Sequence, residues 1–163
     1  MKHILFMLAM ASMFITTTAS AATGMDHMCG AAKCPPGVQV ITYATKGYPF
    51  FACPSPKLSD YIGFVIGSLA IQTSLGLAPN LSPQTGEPEW SGDTERIVSA
   101  LRQKAGVRTF DQAVAMCKKG SGGVRATVLN DGGDAVLSMW VSVNGKRFSF
   151  WAPKSAFNLV APR

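Results

Sequence analysis

The residues with the clearest chemical potential form a cluster of soft metal ligands near the start of the chain. Met25, His27 and Met28 precede Cys29, and Cys34 follows. Thioether, imidazole and thiolate groups select Cu(I) in an exported protein, so copper binding is one functional alternative. Cysteines oxidised to disulfides cannot act as thiolate ligands, and two methionines with one histidine are a poor ligand set. We therefore expect no bound cofactor.

Catalytic arrangements are hard to build from the remaining residues. His27 is the only histidine beyond residue 21, so a serine or cysteine nucleophile would depend on it for activation. Four carboxylates cluster in a Pro-rich stretch, without an apolar surrounding that would raise the pKa of a catalytic acid: Glu87, Glu89, Asp93 and Glu95. We interpret them as solvated and predict that the protein is not an enzyme.

The first 21 residues have the pattern of an export signal. Lys2 precedes an apolar run from Ile4 to Ile15, and Ala19-Ser20-Ala21 matches a small-residue cleavage site. We expect residues 1–21 to be removed and residues 22–163 to form a single α+β domain in the bacterial periplasm.

The cysteine count supports the same compartment. An even number of cysteines in an exported chain predicts two disulfides, formed by Cys29, Cys34, Cys53 and Cys117. Three pairings are possible. We favour Cys34 with Cys53 and Cys29 with Cys117 over the local pairing of Cys29 with Cys34, which leaves Cys53 with Cys117.

Charge divides the chain beyond the signal into two unlike parts. Residues 22–95 hold three Lys and six Asp or Glu, a net charge of −3, whereas residues 96–163 hold eleven Lys or Arg and three Asp, a net charge of +8. A basic half suits an acidic protein partner or anionic lipid headgroups, although a solvated basic face is the plainer interpretation. We expect an envelope protein or a cell-wall component as partner, and no nucleic acid.

The first half, residues 22–76, predicts a hairpin followed by an apolar helix. Val38 to Ala52 contains two strand-like runs, and Pro49 marks the second as an edge because it has no amide to donate. From Leu58 onward, apolar residues recur at helical spacing. We interpret this helix as part of the core. The alternatives are that Leu58 to Ala78 spans the inner membrane or lies along its surface.

A loop and two short helices are expected next. Residues 77–92 contain three prolines and read as a linker loop. Asp93 is the predicted cap of a helix that runs to about Lys104. Thr109 with Gln112 forms a capping box for a second helix, which is predicted to end in Lys118-Lys119.

The rest of the 93–163 block predicts three basic strands. Val124 to Asn130 and Ala135 to Val143 alternate, and Asn144-Gly145 suits a two-residue turn that pairs Val141 with Phe148. One face is then apolar: Val124, Ala126, Val128, Leu137, Met139, Val141, Phe148 and Phe150. The whole chain is therefore predicted to be an α+β fold, in which a small antiparallel sheet or partial barrel packs with three helices and two disulfides.

The opposite face of this sheet holds the candidate binding residues Arg125, Trp140, Arg147 and Trp151. The register places Trp140 diagonal to Trp151, and a four-residue turn at Asp131 sets Arg125 opposite Trp140. Tryptophan and arginine are the residues most enriched at interface hot spots, which favours a binding surface here. The alternative is that helices of the first half cover this face and bury both tryptophans.

The C-terminal block also has a family resemblance. A hairpin leads into Phe148 to Phe157, where a tryptophan-containing strand enters a short turn with Pro153, and Asn158 to Val160 follow as a last strand. This pattern resembles the last strands of bacterial Src-homology-three-like barrels. The resemblance covers Val124 to Val160 and implies that Val38 to Ala52 supplies the missing strands. It also implies binding of a cell-wall or protein ligand through an aromatic face. For the whole chain we expect an interaction or accessory protein of a cell-envelope machine, such as a secretion or conjugation apparatus.

Overall fold

Seven strands and three helices make up the part of the chain that the structure, a computed structural model, describes: residues 27–133, 137–143, 145 and 148–160. The predicted export signal, Met25 and Arg147 lie outside these residues. The elements are β1 (Gln39–Thr42), β2 (Phe51–Ala52), α1 (Pro56–Ser74), α2 (Gly92–Ala105), α3 (Phe110–Ala115), β3 (Lys118–Lys119), β4 (Arg125–Asn130), β5 (Ser138–Val143), β6 (Phe148–Pro153) and β7 (Phe157–Leu159).

Five strands form one antiparallel sheet in the order β6-β5-β4-β1-β7. β6 and β7 lie at opposite edges, yet only a 3₁₀ turn at Lys154–Ala156 joins them along the chain. The sheet curls, so that the ring centroids of Phe150 on β6 and Phe157 on β7 are 6.5 Å apart. Its apolar face fills the inside of the curl. The predicted α+β fold, with an antiparallel sheet, three helices and two disulfides, is confirmed.

The predicted hairpin over Val38 to Ala52 is wrong. The turn itself forms, since Thr45 and Tyr48 exchange backbone hydrogen bonds of 3.1 and 3.2 Å. The strands then separate: β1 lies between β4 and β7, whereas β2 pairs with β3 in a second sheet. Alternation and turn residues predict strands, but the partner of each strand depends on contacts far along the chain.

Strand β3 also corrects the predicted end of the third helix. α3 stops at Ala115, and Lys118-Lys119 are extended and pair with Ala52 and Phe51. The disulfide between Cys53 and Cys117 lies at the end of this short ladder. The cross-link holds two segments together that have little strand propensity of their own.

Both observed disulfides contradict the favoured pairing. Cys29 bonds to Cys34 and Cys53 bonds to Cys117, so all four cysteines are oxidised, as the count predicts. Cys34 and Cys53 would meet at the base of a hairpin that does not form. Cys29 is instead fixed beside β7, where its amide donates to the Phe157 carbonyl at 2.9 Å.

Helix α1 is a core helix, as predicted, and lies between the sheet and the other helices. The Ser55 side chain caps it by accepting from the Leu58 amide at 3.4 Å. Leu58, Tyr61, Ile62 and Val65 are buried, while Gly63 allows Pro153 of β6 to approach so closely that a Cβ atom would lie 2.6 Å from its ring. Among the described residues, no helix has the length and hydropathy to cross a membrane.

The stretch 77–92 is a long loop that contacts the helices through Glu87. Backbone bonds from Ser82 to Glu87 and from Glu89 to Asn80 close it on itself. Glu87 is buried and accepts hydrogen bonds from the Tyr61 hydroxyl of α1 and from Arg102 of α2. The prediction that this carboxylate is solvated is therefore wrong. A sequence window shows neither of its partners, because each lies at least fifteen residues away.

The helix caps agree with the sequence in part. Ser91, not Asp93, is the N-cap residue of α2, and Asp93 pairs with Arg96 in the first turn. Thr109 caps α3 by accepting from the Gln112 amide at 3.1 Å, as predicted. The Gln112 side chain reaches the Arg108 amide.

The pairing of β5 with β6 differs from the prediction. Val143 pairs with Phe148 and Val141 with Phe150, while Asn144 of the predicted turn lies outside the described residues. The register moves by two residues from the prediction. A shift of two preserves which side chains share a face, so the apolar face forms as expected, with Val128, Met139 and Val141 buried. Leu137 and Phe148, however, are exposed at its ends.

Candidate interaction surface

The outer face of the curled sheet, here called the tryptophan face, is ordered in rows that cross the strands. The central row joins Asn130 on β4, Trp140 on β5 and Trp151 on β6. The two indole rings are stacked, with centroids 6.2 Å apart and planes 12° apart. The observed register makes the tryptophans direct cross-strand neighbours instead of a diagonal pair, which brings their rings together.

A polar row runs beside the tryptophans on the same face. It passes through Gln39, Thr127, Ser142 and Ser149 on four adjacent strands. The Gln39 amide donates to the Thr127 hydroxyl at 2.7 Å, and Gln39 and Ser149 are exposed. A rigid aromatic pair thus lies next to a row in which Ser142 is buried and the exposed members, Gln39 and Ser149, can donate and accept hydrogen bonds.

Of the two arginines of the predicted site, Arg125 does not stand where the sequence placed it. A register shift between Val128 and Asn130 puts Asn130, and not Arg125, opposite Trp140. Arg125 is exposed on the same face, but it lies beyond the polar row and pairs with Ile41 of β1. Arg147 lies outside the described residues. The prediction that Arg125 lies opposite Trp140 is therefore wrong.

Helix α1 covers only one end of the tryptophan face. Ser138 and Pro153, the row on one side of the tryptophans, contact α1: Ser138 donates to the Ser59 hydroxyl at 2.6 Å, and Pro153 packs on Gly63. Trp140 retains 38% of its exposure and Trp151 is half-buried. Helix α1 therefore covers the Ser138 row but leaves Trp140 partly exposed. The alternative in which helices bury both tryptophans does not hold for Trp140.

The covered end contains a partly buried carboxylate. Asp60 of α1 is half-buried beside Ser138, and its Oδ1 atom is buried without a hydrogen-bond partner among the described residues. Burial raises the pKa of this carboxyl, while Ser138, Leu137 and the charge on Lys154 partly oppose the shift. The folded protein therefore binds the proton of this carboxyl more tightly than the unfolded chain does.

The Asp60→Asn variant is expected to raise the melting temperature at pH 7 and to have little effect at strongly acidic pH. At a pH well below the unfolded-state pKa, Asp60 is protonated in both the folded and the unfolded protein, so its ionisation does not change the free energy of unfolding there. As the pH rises towards the higher folded-state pKa, the unfolded chain ionises first and stability falls. Thermal melts across pH, with the exposed Glu89→Gln variant as control, measure this. A stabilisation that does not depend on pH would contradict it.

Of the predicted copper ligands, the structure describes His27 and Met28, together with the neighbouring cysteines. His27 is exposed, Met28 forms a backbone bridge with Asn158, and Cys29 and Cys34 are joined in a disulfide. In the described part of the chain, no three His, Cys, Asp or Glu side chains stand close enough to hold a metal ion. Met25 lies outside that part.

Sequence reasoning missed one member of this surface. Gln39 joins the polar row only because β1 lies beside β4, where Gln39 pairs with Thr127, 88 residues further along the chain. The signal for Gln39 was its alternation with the buried Val40, which is also consistent with the hairpin that does not form.

Comparison with protein-family models, curated proteins and solved structures found no match to this chain. The case for a function therefore rests on the surface itself.

Proposed function

We propose that this protein is a non-enzymatic accessory protein of the bacterial periplasm, which binds an envelope protein through the tryptophan face. The observation that carries this proposal is the stacked pair Trp140 and Trp151, held across two strands with Trp140 partly exposed. Paired aromatics on a rigid sheet offer a large contact area with little loss of conformational freedom on binding. The adjacent polar row supplies hydrogen bonds that would fix a partner's orientation.

The strand order supports an assignment as a Src-homology-three-like barrel. In that interpretation, β1 supplies the missing first strand, and β4, β5 and β6 form the central meander. β7 returns to β1 after a 3₁₀ turn. The helices then occupy one long insertion between β1 and β4. Small barrels of this type use their outer faces and loops for binding, which agrees with a role in a secretion or conjugation apparatus.

Export and periplasmic location are supported by the chemistry of the cysteines. Two disulfides persist in an oxidising compartment and are rare where thiols are kept reduced. The signal-like residues 1–21 are consistent with this location.

The test is photo-cross-linking in intact cells, with a photoreactive amino acid at Ser149, next to the tryptophans. We expect a specific adduct with an envelope protein, which disappears in Trp140→Ala. That variant should lose less than about 2 kcal/mol of stability, because the indole is already partly in water. A buried tryptophan would lose about 3 to 5 kcal/mol.

Two controls make the test specific. A photoreactive amino acid at the exposed Ile97 of α2 should give no such adduct, and Tyr43→Ala, which removes a similarly exposed aromatic, should leave it intact. No adduct at position 149, or one that survives Trp140→Ala, would overturn the proposal. Sedimentation of the purified protein with peptidoglycan would instead identify a cell-wall ligand.

A further inference from the structure

A second surface lies inside the open end of the curled sheet, on the face opposite to the tryptophans. Here a cleft of about 230 Å³ is bounded by the start of β6, the end of β5 and the β2–β3 sheet. Its floor is aromatic, made by Phe50, Phe148 and Phe150. The cleft has room for one large apolar side chain.

Close packing fixes the floor of this cleft. Phe50 is buried, and its ring lies against Gly120, where a Cβ atom would be only 2.1 Å from the ring. The centroid of Phe150 is 6.4 Å from that of Phe50 and 5.5 Å from that of Phe148. Phe148 itself remains 43% exposed at the mouth, so the cleft presents an apolar surface that the described residues leave in water.

The rim of the cleft is cationic. Lys118 and Lys119 are both exposed, and the Lys118 Nζ atom lies 5.5 Å from the centroid of the Phe148 ring. None of the described residues lining the cleft is acidic. An apolar floor beneath two ammonium groups is complementary to a ligand that combines an apolar group with negative charge.

The neighbouring strand favours a peptide as that ligand. β3 has β2 as its only strand partner in the described sheets, so its outer edge carries backbone groups that an added strand can pair with. Lys118 and Lys119 lie on this edge. A peptide can use the edge, the lysines and the cleft together, whereas a lipid has no main chain to pair with β3.

We propose that this cleft binds an acidic peptide segment of a partner protein, with one aromatic or branched aliphatic side chain inserted onto Phe148 and flanking carboxylates at Lys118 and Lys119. The cleft is independent of the tryptophan face, because it lies on the other side of the sheet. The protein would thus hold two partners, or two parts of one partner, at once.

The experiment uses fluorescent peptides as probes and anisotropy as the readout. The sequence Glu-Asp-Phe-Asp-Glu should bind to the protein in low salt and weaken as salt is added. Glu-Asp-Ser-Asp-Glu and Lys-Arg-Phe-Arg-Lys should bind much less. Amide shifts in an NMR titration should concentrate at Phe148 and Lys118. This mapping uses the unmodified protein, so it does not depend on a variant that folds.

Charge reversal provides the matched comparison. Lys118→Glu with Lys119→Glu should weaken the Phe probe about tenfold, since two partly solvated charge contacts are lost. The control variant, Lys57→Glu with Lys104→Glu, changes the net charge by the same amount at exposed positions on helices. It should have little effect on the affinity for the Phe probe. The Trp140→Ala variant should bind the Phe probe with unchanged affinity. Its result therefore tests the cleft separately from the binding function proposed for the tryptophan face.

Three results would overturn the proposal. One is absence of binding by the unmodified protein, and another is equal weakening by the two charge reversals. The third is sedimentation with phosphatidylglycerol vesicles that the Phe probe does not displace, which would assign the cleft to a lipid surface.

Discussion

Val65→Asp is expected to abolish the folded state. Val65 is fully buried on α1, in a cluster with Leu58, Ile62 and Val98. An aspartate there loses apolar contacts and places an unpaired charge in a core, at a cost of more than about 4 kcal/mol. Since small domains are stable by about 5–15 kcal/mol, this change removes much or all of the margin. Circular dichroism and thermal melts of the purified variant measure the loss.

The same helix offers a matched control. Ile71→Asp makes the same chemical change six positions later, where the side chain is 64% exposed. It should leave the melting temperature nearly unchanged. Equal loss of stability in the two variants would contradict the assignment of Val65 to the core and Ile71 to the surface.

Removal of the Cys53–Cys117 disulfide should destabilise the protein about twice as much as removal of Cys29–Cys34. The first cross-link joins residues 64 positions apart and the second joins residues 5 positions apart. Chain entropy in the unfolded state then gives about 4 kcal/mol for the long loop and about 2 kcal/mol for the short one. Denaturant unfolding of the two double-alanine variants measures both values.

This difference has a structural counterpart. Cys53 and Cys117 anchor β2 to β3, and Cys53 also exchanges two 2.8 Å backbone bonds with Trp151 of β6. Loss of this disulfide should therefore also weaken binding of the Phe probe at the cleft lined by Lys118 and Phe148, which the β2–β3 sheet borders. Equal destabilisation by the two double variants, or tighter probe binding without Cys53–Cys117, would contradict this interpretation.

Elements with a strong local pattern could be predicted from sequence alone. Helical spacing from Leu58 located the core helix to within two residues of its start, and Thr109 with Gln112 located the start of α3. Alternation located β4, β5 and β6, and it separated the apolar face from the tryptophan face. These features depend on neighbours within a few residues, so a sequence window contains their causes.

Only the tertiary structure decided which segments meet. The same alternation in Val38 to Thr42 suits a hairpin or a central strand, and burial of Val40 between β4 and β7 selects the second. That choice separates Cys34 from Cys53 and brings Gln39 beside Thr127. Turn length is set by the packing of both strands, so Asn144-Gly145 did not determine that Trp140 faces Trp151. Side chains alternate between the two faces along each strand, so the sequence could predict which residues share the tryptophan face. It could not predict which of these residues are neighbours across the strands, because that pairing follows from contacts between residues far apart in the chain.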